Sequence, residues 1–182
     1  IKQLSCDPAH PTPLPEVLKA IETAELIVLG PGSLYTSVVP NLLIPEIAEA
    51  ISQSKAPKVY VVNIMSQPGE TDNYSVTDHI EAITDHAALE GIIDCVVVND
   101  VLPIKLVEKY EQAGCHPVQL DEENCEKINV EIIRATLIDE KEKETIRHEP
   151  SRLVRAIMRW FKKQNRYKGP EEFQDEQYKL SN

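Results

Sequence analysis

Short apolar runs closed by turn residues, with helix-like stretches between them, constrain this chain more than any other feature. Glu25-Leu-Ile-Val-Leu-Gly30 is almost wholly apolar and stops at Gly-Pro-Gly, and Pro57 to Ile64 and Cys95 to Asn99 have the same character. Runs of this kind fit strands buried on both faces. Pro15 sits where a first helical turn tolerates proline, and Val17, Ile21 and Ala24 line one face, which predicts a helix over 14–24. Ile44, Ile47, Ala48 and Ile51 mark a second helix with Pro45 near its start. Ser75-x-x-Asp78 resembles a capping box opening a third through Ile80, Ile83 and Ala87. Pro103 to Ala113, stopped by Gly114, and Ser151 to Lys163 read as further helices; Pro117 to Leu120 and Val130 to Ile138 read as further strands. Strands alternating with helices predict an α/β fold: a mostly parallel sheet with helices on both faces.

With 182 residues, 42% of them apolar, the chain suits one such domain. Residues 1–164 carry the pattern, while 165–182 are mostly charged or amide side chains and are expected to form a disordered tail. The balance of 19 basic against 30 acidic residues gives a net charge of −11, a field that repels phosphate backbones and argues against general nucleic-acid binding. No apolar run approaches the ~20 residues of a membrane span. The start at Ile1 and Lys2 shows no signal-peptide pattern, and Cys6, Cys95, Cys115 and Cys125 form no CxxC pair, so reduced structural thiols and a cytoplasmic location are the expectation.

In an open parallel sheet, ligands bind beyond the carboxyl ends of the strands, so the loops that matter follow Leu29, Ile64 and Val98. In the first, Gly30-Pro-Gly-Ser-Leu-Tyr-Thr-Ser37, Gly32 leaves room for close backbone approach or serves a turn with positive φ. Ser33 and Thr36 offer hydroxyls there, and exposed N–H groups suit an anion. Ordinary turn chemistry explains the same Gly-Pro-Gly. In the second, Asn63 to Asn73, Gln67-Pro68-Gly69-Glu70 places polar groups where no packing demand explains them, which favours contact with a polar ligand.

His79 and His86 are seven residues apart, not the three or four that bring two ligands to one metal, and read as surface histidines. No P-loop, G-x-S-x-G or G-x-G-x-x-G is present, and no nucleophile pairs with a base, so neither a metal nor a catalytic residue is assigned. The last helix sets Leu153, Val154, Ile157 and Trp160 against Arg152, Arg155, Arg159, Lys162 and Lys163. Its apolar stripe reads as core, with a membrane surface or acidic partner as the other use of such a helix.

The two loops together, Leu29-Gly-Pro-Gly-Ser-Leu-Tyr-Thr-Ser-Val-Val-Pro-Asn-Leu-Leu43 and Val62-Asn-Ile-Met-Ser-Gln-Pro-Gly-Glu-Thr-Asp-Asn-Tyr-Ser-Val-Thr-Asp-His79, resemble the bacterial gluconeogenesis factors, in the superfamily of the 2-phospho-L-lactate transferases. The likeness runs from about Leu14 to the end of the last helix. It implies a Rossmann-like domain that binds a nucleotide sugar such as UDP-N-acetylglucosamine, needs no other cofactor, and supports cell shape and wall synthesis on gluconeogenic carbon sources. It also implies ligand contacts at Gly32, Ser33, Leu34, Tyr35 and Thr36, at Asn63, Gln67, Pro68, Gly69 and Glu70, and, for the uridine nucleotide, at Tyr110 and the Arg147-His148 pair; the guanidinium of Arg147 suits a diphosphate.

The family begins with a strand and a glycine-rich phosphate loop that this sequence lacks, so the chain is expected to be the C-terminal part of a larger domain. The rest of that domain, or a second copy in a homo-oligomer, is its expected partner. Where the family often continues after Arg147-His148 with Asp and Thr, this chain has Glu149 and Pro150. The alternative is a transferase moving a phospholactyl group from a guanylyl diphosphate donor to a deazaflavin acceptor with Mg²⁺. Against it, those enzymes resemble Gly-Pro-x-Asn-Pro in the first loop, where Gly-Ser-Leu-Tyr-Thr stands here.

Overall fold

A computed structural model describes residues 1, 4–87, 89, 91–138 and 145–164; the expected tail over 165–182 lies outside the described residues. Four parallel strands, β1 (Ile27–Leu29), β2 (Lys58–Val61), β3 (Cys95–Asn99) and β4 (Glu131–Ala135), lie side by side in chain order. Val28 is in register with Val59, Tyr60 with Val96, and Val97 with Ile133. The helices are α1 (Pro15–Glu22), α2 (Val39–Leu42), α3 (Pro45–Gln53), α4 (Val76–Ala87), α5 (Ile104–Glu111), α6 (Glu122–Lys127) and α7 (Pro150–Lys163).

Right-handed crossovers between successive neighbours keep the connecting helices on one face of such a sheet. The core follows that rule. Leu29, Tyr60, Val62, Val96 and Val98 point to one side and pack with Leu42 of α2, Ala48 and Ile51 of α3, Ile80 and Ile83 of α4 and Cys125 of α6. The alternate residues Val59, Val61, Cys95 and Val97 point to the other side, where α7 lays Leu153, Ile157, Trp160 and Phe161 against them. The sheet is therefore covered on both faces, as the alternation of elements predicts, and the apolar stripe of α7 is core. No helix among the described residues is long and apolar enough to cross a membrane.

Local chemistry sets the helix starts. Proline occupies the first turn of α1, α3 and α7, where no N–H is needed. The Glu149 carboxylate accepts from Ser151 N (3.2 Å) and Arg152 N (2.7 Å) and caps α7. At α4 the expected capping box is present: Ser75 N donates to Asp78 Oδ2 (2.7 Å) and Asp78 N to Ser75 Oγ (3.2 Å). Asp121 reaches over to accept from Thr77 N at 3.1 Å and from the Thr77 and Ser75 hydroxyls. Partial burial raises the Asp121 pKa, but the hydrogen bonds from Thr77, Asn124 and Ser75 outweigh it and hold the carboxyl below its usual range.

Three expectations are corrected. Pro117 to Leu120 does not form a strand of the sheet; it makes isolated bridges to Met65 and Ser75. Pro117 has no N–H to give a ladder. The stretch read as the rest of the first loop is helical: Leu34–Val38 form a π-helical turn running into α2. Pro40 has no N–H to close the ordinary bond to Thr36, and the turn widens, with Val38 N donating to Ser33 O five residues back. His79 is not a surface residue: it is fully buried, its Nδ1 2.7 Å from Ser75 O and its ring edge-on to Tyr74.

Candidate functional site

β1 and β2 run the same way, so the loops that follow Leu29 and Val61 leave the sheet at one end. Gly30 makes the first turn. Its φ is 75°, a region closed to most L side chains, and a Cβ there would stand 3.1 Å from the Val61 carbonyl oxygen. Gly32 departs from the expectation of a positive φ; its backbone is ordinary, and an added Cβ would instead press on Ser37 Cβ at 3.1 Å. Ser33 then donates from Oγ to Glu70 Oε2 at 2.7 Å, tying the first loop to the second.

The second loop is fixed by its own hydrogen bonds and by a strap. Gln67 O accepts from Glu70 N (3.0 Å) and Thr71 N (2.9 Å), and Gln67 N donates to Thr71 Oγ1 (2.9 Å). Gly69, with φ 79°, donates to Asp72 Oδ2 at 2.8 Å. Residues 116–119 lie alongside: Ser66 N donates to His116 O (2.7 Å), His116 N to Ser66 Oγ (2.9 Å), Val118 N to Ile64 O (3.0 Å) and Val76 N to Gln119 O (2.9 Å). The segment expected to be a strand is thus the brace of the second loop.

A cleft of about 400 Å³ opens between these loops and the segment that leads into α7. The first loop lines it with Pro31, Gly32 and Ser33, the second with Asn63, Ile64, Met65 and Gln67, and the third segment with Ile146, Arg147 and His148. Arg147 is exposed and in no ion pair among the described residues. Within the cleft, Gln67 Oε1 and His148 Nε2 are shielded from water and have no hydrogen-bond partner among the described residues. Burial lowers the His148 pKa, against a smaller opposing pull from a bond to the Val62 backbone, so the ring is neutral at pH 7.

The other residues that the resemblance implied are placed differently. Leu34 is fully buried and Tyr35 is 3% exposed; the Tyr35 hydroxyl shares a 2.6 Å hydrogen bond with Tyr74, and its ring meets His86 edge-on. Burial, then the Tyr74 hydroxyl, pushes the Tyr35 pKa up. These side chains hold the first loop down from beneath. Thr36, Pro68 and Gly69 are exposed outside the cleft lining. Glu70 reaches the cleft through Ser33. Tyr110, half-buried against the cluster of Ile64, Met65, Leu106, Ile138 and Ile146, accepts from Ile146 N at 3.1 Å and so anchors the residue before Arg147. The four cysteines are unpaired, and burial, with Glu131 and Asp94 nearby, pushes the Cys95 thiol up to about 12, far from a reactive thiolate.

Pro31, Ile64, Met65 and Ile146 line the cleft without having been singled out in the sequence. All but Pro31 also belong to a small apolar cluster, and in a sequence they read as ordinary core. Their proximity to Gly32 and Ser33 was the missing signal, and it depends on the strap and on Tyr110.

Comparisons with known proteins place the chain in a family and support its fold. The family model described as 2-phospho-L-lactate transferase CofD matches residues 1–138. The gluconeogenesis factor of Bacillus subtilis is 39% identical over 87% of this chain and 50% of its own length; that of Halalkalibacterium halodurans is 43% identical over 87% of this chain and 49% of its own. A crystal structure of a Bacillus halodurans protein matches with a TM-score of 0.82 and 43% identity, over 87% of this chain and 50% of that one. The chain spans about half the length of these relatives. With the family model aligned through all four strands and both cleft loops, this chain belongs to the 2-phospho-L-lactate transferase CofD family, among relatives named gluconeogenesis factors.

Proposed function

We propose that the chain forms the nucleotide-sugar site of a regulator of the gluconeogenesis-factor type, with a UDP-sugar such as UDP-N-acetylglucosamine in the cleft, no chemistry of its own, and a role in cell shape and wall synthesis on gluconeogenic carbon sources. One observation carries the reading: two loops locked together by Ser33 and Glu70 converge with the exposed cation of Arg147 on a single cleft. Its volume of about 400 Å³ falls within the ordinary span of small-molecule sites, ~300–1,000 Å³. A planar guanidinium suits a diphosphate because it makes charge-assisted, often bidentate bonds. Unpaired thiols fit the cytoplasm as the compartment.

β1 has no strand on its outer edge among the described residues, and Val28 on it is 44% exposed. In the relatives, which are about twice as long, the remainder of the domain is the occupant we propose for this edge. A second copy of the chain is the competing occupant, and light scattering tells the two apart.

The family description supports a second reading, a phospholactate transferase using a guanylyl diphosphate donor, a deazaflavin acceptor and Mg²⁺. Thermal-shift measurements over a nucleotide panel separate the two. A specific rise with uridine nucleotides supports the regulator. A rise with guanine nucleotides, together with turnover of a deazaflavin acceptor, overturns it in favour of the enzyme.

A further inference from the structure

We infer that the outer face of α7 docks an acidic protein segment, one that presents carboxylates beside an aliphatic side chain. The inner face of this helix is already spent: Leu153, Ile157, Trp160 and Phe161 are buried and lie against Val59, Val61, Cys95 and Val97 of the sheet. Arg155, Arg159, Lys162 and Lys163 are exposed at i, i+4, i+7 and i+8, a spacing that gathers them within about 100° of arc on the opposite side. None of the four is in an ion pair among the described residues. From Pro150 to Lys163 the helix has five basic residues and no acidic one, in a chain with 19 basic against 30 acidic.

Two simpler explanations fall short. Cations offset the negative end of a helix, but that effect fades within the last turn, which covers Lys162 and Lys163 and leaves out Arg155 and Arg159. A solvated helix face ordinarily mixes signs, as α5 does with Lys105, Glu108, Lys109 and Glu111.

Charge and shape together choose the occupant. Beside the cations, Val154 is 57% exposed and Met158, one turn on, is half-buried, so the stripe has an apolar shoulder. Carboxylates close it at both ends: Glu149 caps the helix, and Glu131 accepts from Gln164 at 3.0 Å just past Lys163. An anionic bilayer would lie across both carboxylates, and the main apolar stripe of α7 is buried against the sheet rather than free to insert. A nucleic-acid backbone meets the same flanking charges in a chain of net charge −11. A short acidic segment fits between the two ends of a helix about 20 Å long. The stripe lies outside the cleft lining, so this partner is distinct from the cleft ligand.

The test is fluorescence anisotropy of a labelled peptide of Glu-Glu-Leu-Glu repeats, titrated with the whole protein. Wild type is compared with Val154→Ser and with a four-site variant, Arg155→Gln, Arg159→Gln, Lys162→Gln and Lys163→Gln. Lys55→Gln with Lys105→Gln, exposed cations on other elements, is the charge control, and thermal unfolding verifies that each variant folds. The wild type is expected to bind the peptide, less tightly as salt rises. The four-site variant should lose roughly tenfold or more in affinity and the control little. Val154→Ser should lose several-fold, which bare charge attraction would not produce. A loss in the four-site variant no larger than in the control overturns the inference, and so does wild-type affinity in Val154→Ser. Tighter binding of the wild type to phosphatidylglycerol vesicles or to a DNA duplex than to the peptide overturns it in favour of a membrane or nucleic acid. A wild type that ignores the peptide, with a four-site variant that melts well below it, overturns it in favour of a contact within the protein itself.

Discussion

Ser33 and Glu70 stand 37 residues apart in sequence, yet the Ser33 hydroxyl donates to a Glu70 carboxylate oxygen at 2.7 Å and joins the two loops that wall the cleft. A hydrogen bond to a charged acceptor is among the stronger side-chain interactions, and here it adds to the Tyr35–Tyr74 bond that ties the first loop to the end of the second from beneath.

Ser33→Ala should therefore act on binding more than on folding. The bond is only part-buried, so its loss is expected to cost about 1 kcal/mol or less of stability. Nucleotide affinity should fall several-fold as the loops drift apart, which paired urea unfolding and calorimetry would measure. A large stability loss with unchanged affinity would make the contact a packing device only.

The two glycines of the first loop should separate cleanly. Gly30→Ala forces a side chain into positive φ beside the Val61 carbonyl and is expected to destabilise by about 1–3 kcal/mol. Gly32→Ala keeps an ordinary φ and presses only on the Ser37 side chain, so it should lower the melting temperature less than Gly30→Ala while affinity falls, because Gly32 lines the cleft. Equal effects of the two changes on stability would contradict this division.

Tyr110→Phe tests whether the ring or the hydroxyl matters. If Tyr110 served the ligand by stacking, phenylalanine would bind as well as tyrosine. Because its hydroxyl accepts from Ile146 N at 3.1 Å and anchors the residue before Arg147, Tyr110→Phe is expected to weaken binding several-fold with the ring intact. Titration of the two proteins side by side decides it.

Stability should fall as pH drops below neutrality. Burial lowers the pKa values of His79 and His148 from the ordinary 6.5, with hydrogen bonds to the Ser75 and Val62 backbones only partly opposing it. The unfolded chain then binds protons first, so the contribution of these rings is fully present above about pH 6.5 and is lost as pH falls from there. Asp121 and Glu149, held low by hydrogen bonds, add the same sign only in the more acid range of carboxylates. Urea midpoints between pH 7.5 and 5.5 should decline, and less steeply in His79→Phe; a midpoint that rises on acidification would contradict the assignment.

The sheet was legible because its strands are runs that no other element explains: Cys95 to Asn99 is β3 to the residue, and the core of Pro57 to Ile64 is β2. The capping box at Ser75 and Asp78 was equally readable, since both partners lie within one turn. Features that depend on a distant partner were not. His116 to Gln119 has a strand-like composition, but only the second loop beside it decides that it becomes a strap. His79 looked like a surface residue because its polarity is visible in the sequence, whereas the Tyr74 ring and the Ser75 carbonyl that accommodate it indoors are matters of geometry. The loops and Arg147 were singled out as ligand contacts from the sequence; the structure brings Gly32, Ser33, Asn63, Gln67 and Arg147 to one cleft and sets Leu34 and Tyr35 beneath it.

The central claim, that Arg147 and the two tied loops form a nucleotide-sugar site, is tested most directly by titrating UDP-N-acetylglucosamine into the wild-type protein and Arg147→Ala. Removing an exposed guanidinium that makes no ion pair among the described residues should leave the melting temperature unchanged and cost about 1.5–3 kcal/mol of binding, the scale of a charged hydrogen bond, which is roughly a tenfold to hundredfold rise in Kd. Equal affinity in the two proteins, or none in either, would contradict it.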